Sequence, residues 1–101
     1  MESADIKEEN GEITIRLHGN VSYKTGLDLK NTITAYADKG NAKIYLDLSE
    51  STFLDSSGIG LLLNSQKYVE KQKGTLTIQN LNEKLYSLIK MANLDKKLNI
   101  E

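Results

Sequence analysis

The chain has 101 residues, of which 39% are hydrophobic and 27% charged, with a formal net charge of -1, which is the size and composition of one packed domain. The lack of cysteine and the single histidine, His18, exclude disulfides, thiolate nucleophiles, zinc fingers and multi-histidine metal sites. The balanced charge argues against nucleic acid as a partner, the acidic N-terminus is not that of a signal peptide, and no apolar run approaches the roughly 20 residues that span a bilayer. We therefore expect one cytoplasmic domain over residues 1–101 that does not insert into a membrane.

The first predicted elements are two strands joined by a tight turn. Ile13, Ile15 and Leu17 alternate with polar residues, which is the pattern of a half-buried strand. Glu9-Asn10-Gly11 precedes this strand and is a typical hairpin turn. The segment Ser3–Glu8 is therefore predicted to pair with it.

Two helices and a strand follow in the central part of the chain. Thr25-Gly26-Leu27-Asp28 fits a capping box at the start of a helix that Gly40 ends. A second alternating strand covers Ile44–Leu48. A second helix is predicted from about Ser57 to Lys73, with Gly74 in the left-handed stop position.

The last third of the chain continues the alternation. Thr75–Gln79 is a short strand, and Leu98-Asn99-Ile100 is predicted to close the sheet as a final strand. Between them, apolar residues mark a third helix: Leu81, Leu85, Leu88, Ile89 and Ala92. Strand–helix–strand units require parallel neighbours with right-handed crossovers. The predicted fold is α/β, a mixed and partly parallel sheet with its helices packed mainly on one face.

The most informative stretch joins a strand to the second helix. In Thr52–Leu63, the side chains of Asp55, Ser56 or Ser57 can accept hydrogen bonds from the first helical amides, and two glycines leave the backbone uncovered. The hydrolase elbow, the dinucleotide fingerprint and the phosphate-binding loop do not match. Two interpretations remain: an N-cap with packing glycines, or a serine hydroxyl that is itself modified. A phosphate on Ser56 would place about -1.5 to -2 charges at a helix start.

This stretch resembles a known family. Asp55-Ser56-Ser57-Gly58-Ile59-Gly60-Leu61-Leu62 resembles the D-S-[ST]-G-[LI]-G-x-[LV] signature of bacterial STAS domains, specifically anti-sigma factor antagonists. The resemblance covers nearly the whole chain, because Gly19-Asn20-Val21-Ser22 matches the family's G-[ED]-[LIV]-D turn and the later elements match in order. It implies a STAS-like fold.

The resemblance also implies a mechanism. Such antagonists bind an anti-sigma factor that is also a serine kinase, which frees a sigma factor for transcription. The kinase phosphorylates the first serine of the signature, here Ser56, and a PP2C-type phosphatase restores it. The chain would then be a substrate and ligand without cofactor or catalytic residues. Its partner-binding residues would be those of the signature and the turn: Asp55, Ser56, Ser57, Gly58, Ile59, Gly60, Gly19, Asn20 and Ser22.

Two departures from the family pattern keep other functions open. Ser22 stands where the family has an aspartate that helps to engage the kinase, and we expect the family's usual C-terminal helix to be absent. The alternatives are a STAS accessory subunit of a membrane lipid ABC transporter and a scaffold domain of a signalling hub. Asp55 is expected either to cap the helix, or to orient the Ser56 hydroxyl or bind magnesium brought by the kinase. His18 is expected on a strand surface or in a pH-sensing role.

Overall fold

A computed structural model describes residues 3–101 as alternating strands and helices. In chain order the elements are β1 (Ala4–Glu9), β2 (Glu12–Leu17), α1 (Tyr23–Asp38), β3 (Lys43–Asp47), α2 (Ser56–Lys71), β4 (Thr75–Gln79) and α3 (Glu83–Met91). The strands form one sheet in the order β1-β2-β3-β4, antiparallel between β1 and β2 and parallel elsewhere. The predicted mixed α/β sheet is confirmed.

The predicted hairpin at the start of the sheet is confirmed. Asn10 and Gly11 both have positive φ, 53° and 79°, as the tight turn of a twisted two-residue hairpin requires. β1 then pairs with β2 from Glu9 opposite Glu12 to Ala4 opposite Leu17. β1 lies at one edge of the sheet.

The core lies between one face of the sheet and the helices. The alternating apolar residues of the three parallel strands are all buried there: Ile13, Ile15, Leu17, Ile44, Leu46, Leu76 and Ile78. The same cluster includes residues of all three helices: Leu29 and Ile33 of α1, Leu62 and Val69 of α2, and Leu85 and Ile89 of α3. The intervening strand residues face the other way, and three of them, Thr14, Tyr45 and Thr77, are half-buried. The prediction that the helices pack mainly on one face is therefore confirmed.

The first helix begins earlier than predicted. Its N-cap is Ser22, whose Oγ accepts a hydrogen bond from the Thr25 N–H at 3.4 Å, while Thr25 Oγ1 accepts one from the Ser22 N–H at 2.9 Å. The predicted capping box of Thr25 and Asp28 is wrong, because Thr25 is the second member of a box that Ser22 opens. The end near Gly40, which has φ 96°, is confirmed.

The second helix ends differently from the prediction. It begins at Ser56 instead of Ser57 and ends at Lys71, and the left-handed residue after it is Lys73, with φ 65°. Gly74 has no positive φ; a Cβ there would lie 2.8 Å from the Ala42 carbonyl oxygen. This glycine is therefore required by close packing against the turn before β3, and the prediction of a glycine stop was wrong.

The predicted last strand is reduced to a single bridge. Ile100 pairs in parallel with Ile78 of β4, through hydrogen bonds from the Ile78 N–H to the Asn99 carbonyl and from the Glu101 N–H to the Ile78 carbonyl. The neighbouring Gln66 of α2 holds this segment instead: its Nε2 donates to the Lys97 carbonyl and its Oε1 accepts from the Asn99 N–H. Among residues 3–101, no helix has both the length and the apolar character needed to cross a bilayer.

Candidate functional site

Three loops meet at one edge of the sheet. β2, β3 and β4 are parallel, so their carboxyl ends share an edge, and each is followed there by a helix N-terminus. A polar side chain caps each helix: Ser22 for α1, Asp55 for α2 and Asn82 for α3. The exposed ends of the helices are thus collected on one side of the molecule.

Asn20 joins the first two of these loops. Its Oδ1 accepts hydrogen bonds from the Thr52 N–H at 2.9 Å, the Phe53 N–H at 3.0 Å and the Thr52 hydroxyl at 3.1 Å. The backbones beside it pair as well, since the Val21 N–H donates to the Phe53 carbonyl and the Asp55 N–H to the Val21 carbonyl, both at 3.1 Å. The parallel pairing of β2 and β3 therefore extends past the strand ends into the loops, which fixes where α2 begins.

Ser51 connects all three loops from the inside and was not singled out from the sequence. It is fully buried, and its hydroxyl donates to the Gly19 carbonyl. Its own carbonyl accepts a hydrogen bond from Asn82 Nδ2 at 3.3 Å. A lone serine in a polar loop has no sequence pattern that would reveal this role.

The N-cap of α2 is Asp55. Asp55 is half-buried, and its Oδ1 accepts a hydrogen bond from the Gly58 N–H at 2.6 Å. Ser56 and Ser57 occupy the first helical turn and are exposed. Within residues 3–101 neither serine hydroxyl has a hydrogen-bond partner. Ser56 therefore offers an accessible, uncommitted hydroxyl beside a cap that does not depend on it.

The two glycines of the signature have different surroundings. A Cβ on Gly58 would lie 2.4 Å from the Val21 carbonyl oxygen, whereas a Cβ on Gly60 would meet nothing within 4 Å. Gly26 of α1 also lies close to Gly58, with 3.4 Å from its ideal Cβ to the Gly58 Cα. The absence of a side chain at Gly58 thus lets α2 pack closely against α1 and the backbone of Val21. At Gly60 the space beside the helix is open.

The predicted partner-binding residues accordingly divide into two groups. Gly58 is buried, and Ile59 is only 4% exposed and belongs to the core. Both residues therefore position α2, and neither offers a surface for a partner. The remaining residues are exposed or half-buried at the edge: Gly19, Asn20, Ser22, Asp55, Ser56, Ser57 and Gly60.

Three large apolar side chains near these residues were not predicted as part of the site. Tyr23 is 60% exposed, Phe53 46% and Leu27 38%. Tyr23 and Leu27 lie one turn apart at the start of α1, and Phe53 is in the loop that Asn20 binds. Exposed apolar side chains grouped beside a functional loop are typical of a protein-binding surface. The spacing of Tyr23 and Leu27, off the buried face of α1, was the available sequence signal.

His18 links β1 to the loop before α2. Its Nε2 lies 2.8 Å from Asp5 Oδ2, and its Nδ1 lies 3.2 Å from Glu50 Oε1. The hydrogen bonds to Glu50 and Asp5 raise the pKa of His18 above its usual value. Both ring nitrogens face carboxylates, so His18 is not paired with Ser56 as the general base of a serine nucleophile would be.

Comparison with known proteins agrees with this geometry. The family model described as "Mlab, STAS domain" matches residues 4–100. The chain is 27% identical over 92 residues to the anti-sigma-B factor antagonist of Bacillus subtilis, covering 91% of this chain and 84% of that protein. It is 39% identical over 49 residues to the intermembrane phospholipid transport system binding protein MlaB of Escherichia coli, covering 48% of this chain and 50% of that one. The solved structure of the anti-sigma factor antagonist SpoIIAA in its unphosphorylated form superposes with a TM-score of 0.80 at 19% identity, covering 97% of this chain and 87% of that one.

Proposed function

The chain belongs to the STAS-domain family, and we propose that it is an anti-sigma factor antagonist, a binding module whose unmodified form holds an anti-sigma factor and so frees a sigma factor. The observation that carries the proposal is the accessible Ser56 hydroxyl at the start of α2, at the edge of the sheet that also carries the exposed Tyr23 and Phe53. The similarity to the Bacillus subtilis antagonist over most of both chains supports it.

Ser56 is the proposed switch. A phosphate there adds about -1.5 to -2 charges beside the exposed Ser57 and Phe53, which are uncharged. The fold tolerates the group, because Asp55 provides the cap and the amides of a helix N-terminus favour negative charge. A partner fitted to the neutral hydroxyl must desolvate that charge, and binding weakens. Modification therefore changes the surface and leaves the domain folded.

The proposed partners follow from this role. The anti-sigma factor acts as the serine kinase and supplies ATP and magnesium, and a PP2C-type phosphatase reverses the modification in the cytoplasm. The exposed Ser56, Ser57 and Asn20 and the half-buried Gly60 contact the anti-sigma factor, with Gly58 and Ile59 fixing the helix beneath them.

Ser22 tests the kinase contact separately. It stands at the family's aspartate position and serves as the N-cap of α1. Aspartate is as good an N-cap as serine, so Ser22→Asp keeps the helix start while it restores a carboxylate to the turn. We expect the kinase to label Ser22→Asp faster than the wild type.

A second candidate function is that of an accessory subunit in a phospholipid transport system. The family model carries the Mlab description, and the 39% identity to MlaB over half of the chain favours this class. In that role the same edge of the sheet binds another subunit permanently, and Ser56 is a contact residue without a phosphorylation cycle.

A labelling experiment separates the two functions. The anti-sigma kinase of the host is incubated with ATP and with wild type, Ser56→Ala or Ser57→Ala, and binding of each variant and of Ser56→Asp is measured. We expect label on wild type and Ser57→Ala but not on Ser56→Ala. Binding of Ser56→Asp should be about 100-fold weaker than that of Ser56→Ala, a difference of nearly 3 kcal/mol. Equal binding of the Ala and Asp variants, or no label on Ser56, would reject the switch and favour the transport subunit.

A further inference from the structure

The pairing of β1 with β2 determines which backbone N–H and C=O groups of β1 point outward from the edge of the sheet. The His18 N–H donates to the Ser3 carbonyl, and paired residues in an antiparallel ladder alternate between bonded and non-bonded positions. Asp5 and Lys7 therefore direct their N–H and C=O groups toward β2. Ala4, Ile6 and Glu8 direct theirs away from the sheet. Within residues 3–101 no strand lies on that side.

The β1 strand of a second copy can pair antiparallel with this edge through Ala4, Ile6 and Glu8. Three registers bring the middle of the two strands together. Ala4 opposite Ile6 places Asp5 opposite Asp5, and Ile6 opposite Glu8 places Lys7 opposite Lys7. Both put like charges face to face, which is unfavourable. The third register, Ile6 opposite Ile6, places Asp5 opposite Lys7 on both sides of the axis.

We propose that the chain forms a symmetric dimer in which the β1 strands of two copies pair antiparallel about Ile6. Ile6 is half-buried against the core and covers its symmetry mate on the helix side. Asp5 and Lys7 form two identical cross-chain ion pairs on the other face. The strand is thus complementary to itself, as a two-fold interface requires, and the eight-stranded sheet of the dimer has no β1 edge.

The present contacts of these charges do not oppose the dimer. Lys7 Nζ lies 3.0 Å from Glu9 Oε2, and both side chains are largely exposed. Asp5 is 74% exposed at its contact with His18. Exposed pairs of this kind contribute little to stability, so Lys7 can turn from Glu9 to the Asp5 of the second copy at small cost. None of these residues belongs to the surface proposed for the anti-sigma factor.

A charge-exchange experiment tests the register. The molecular mass of the wild type is followed by sedimentation over increasing concentration, together with Asp5→Lys, Lys7→Glu and an equimolar mixture of the two variants. Each variant alone turns both attractive pairs into repulsive ones, and its dissociation constant should rise about tenfold or more. In the mixture every pair is attractive again, so a heterodimer should form. Circular dichroism of each variant verifies that it is folded.

A cross-linking experiment tests the axis independently, since the chain has no cysteine of its own. Bonded partners in an antiparallel pair have Cα atoms about 5.5 Å apart, within the span of a disulfide. Ile6→Cys should therefore oxidise to a covalent dimer. Glu8→Cys is the matched control on the same face, and its symmetry mate would lie more than about 13 Å away. A monomeric wild type at all concentrations, a dimer that both charge variants leave intact, or equal cross-linking at positions 6 and 8 would overturn the proposal.

Discussion

At the scale of single residues, one side chain at the start of α2 caps the helix and a neighbouring one is the proposed phosphorylation site. Asp55 accepts a hydrogen bond from the Gly58 N–H, whereas the hydroxyl of the neighbouring Ser56 is exposed and has no hydrogen-bond partner within residues 3–101. Because the cap and the proposed acceptor of the phosphate are different side chains, each can be changed without the other.

We expect this separation to be visible in the free energy of unfolding. Asp55→Ala should lose about 0.5–2 kcal/mol, the usual cost of removing an N-cap, while Asp55→Asn keeps most of the stability. Ser56→Ala should be close to wild type, and Ser56→Asp equal or up to about 1 kcal/mol more stable, since it adds a negative charge to a helix start. Urea denaturation of the four variants measures this. An unfolded Ser56→Asp would contradict an exposed hydroxyl.

Asn20 offers a second test at this scale. All three of its partners donate to Oδ1, so a carboxylate can replace the amide without losing an acceptor. Asn20→Asp should therefore remain within about 0.5 kcal/mol of wild type, whereas Asn20→Ala should lose about 1 kcal/mol or more, because two loop amides lose their acceptor. Hydrogen exchange at Thr52 and Phe53 should accelerate in the alanine variant alone. Equal exchange in both variants would show that the loop is held by other contacts.

At the scale of elements, the crossing of α1 and α2 depends on small residues. Gly26, Gly58 and the Val21 backbone approach one another too closely for an added side chain at Gly58. The signature glycines therefore differ in purpose, although the sequence spaces them symmetrically around Ile59.

The two glycines provide a matched pair of substitutions. Gly58→Ala should destabilise the domain by about 1–3 kcal/mol, because its Cβ would press against the fixed Val21 carbonyl. Gly60→Ala should be neutral or stabilising by about 0.5–1 kcal/mol, since alanine is the better helix former and the site is open. Thermal unfolding measured side by side decides the matter. A Gly60→Ala variant as unstable as Gly58→Ala would refute the assigned packing.

Local patterns predicted the elements well and their ends less well. Alternation identified β2 and β3 and helical spacing identified the helices, because these patterns follow from burial on one face, and the hairpin turn identified β1. The ends depended on contacts between distant segments: Thr25 was mistaken for a cap because the partner was the upstream Ser22. Gly74 was mistaken for a left-handed stop because the carbonyl of Ala42 is invisible in local sequence. For the candidate site, the motif pointed to Ser56, which stays a prediction, while Ser51 and Asn20 make hydrogen bonds across about 30 residues of chain that no local pattern reveals.

At the scale of the whole molecule, Asp47 and His18 contribute to how stability responds to pH. Burial raises the pKa of Asp47, but hydrogen bonds from Ser49, with Asn80 and Arg16 adding to them, outweigh it, and the pKa is lowered overall. The Glu50 and Asp5 carboxylates raise the pKa of His18. The Asp47 carboxylate therefore stabilises the fold when it is charged, and the His18 imidazole stabilises it when it is protonated.

These shifts predict a stability plateau in mildly acidic solution. The lowered pKa of Asp47 gives a contribution present above its unfolded value of about 4 and lost as the pH falls through the folded value. The raised pKa of His18 gives a contribution present below about 6.5 and lost as the pH rises through the folded value. Unfolding free energies should therefore be highest between about pH 4 and 6.5. Asp47→Asn should flatten the acid limb and His18→Gln the alkaline one; a wild-type curve unchanged by either substitution would contradict the assignment.

The order of strands also bears on how the chain acquires its site in time. The β1–β2 hairpin closes through a two-residue turn and can form within microseconds, but each parallel pairing must first close a loop of about 30 residues. Asn20 meets Thr52 only after the first of these closures, and Asn82 reaches Ser51 only after the second. The surface around Ser56 is thus completed late in folding, so a nascent or partly folded chain does not yet present the surface that we propose for the anti-sigma factor.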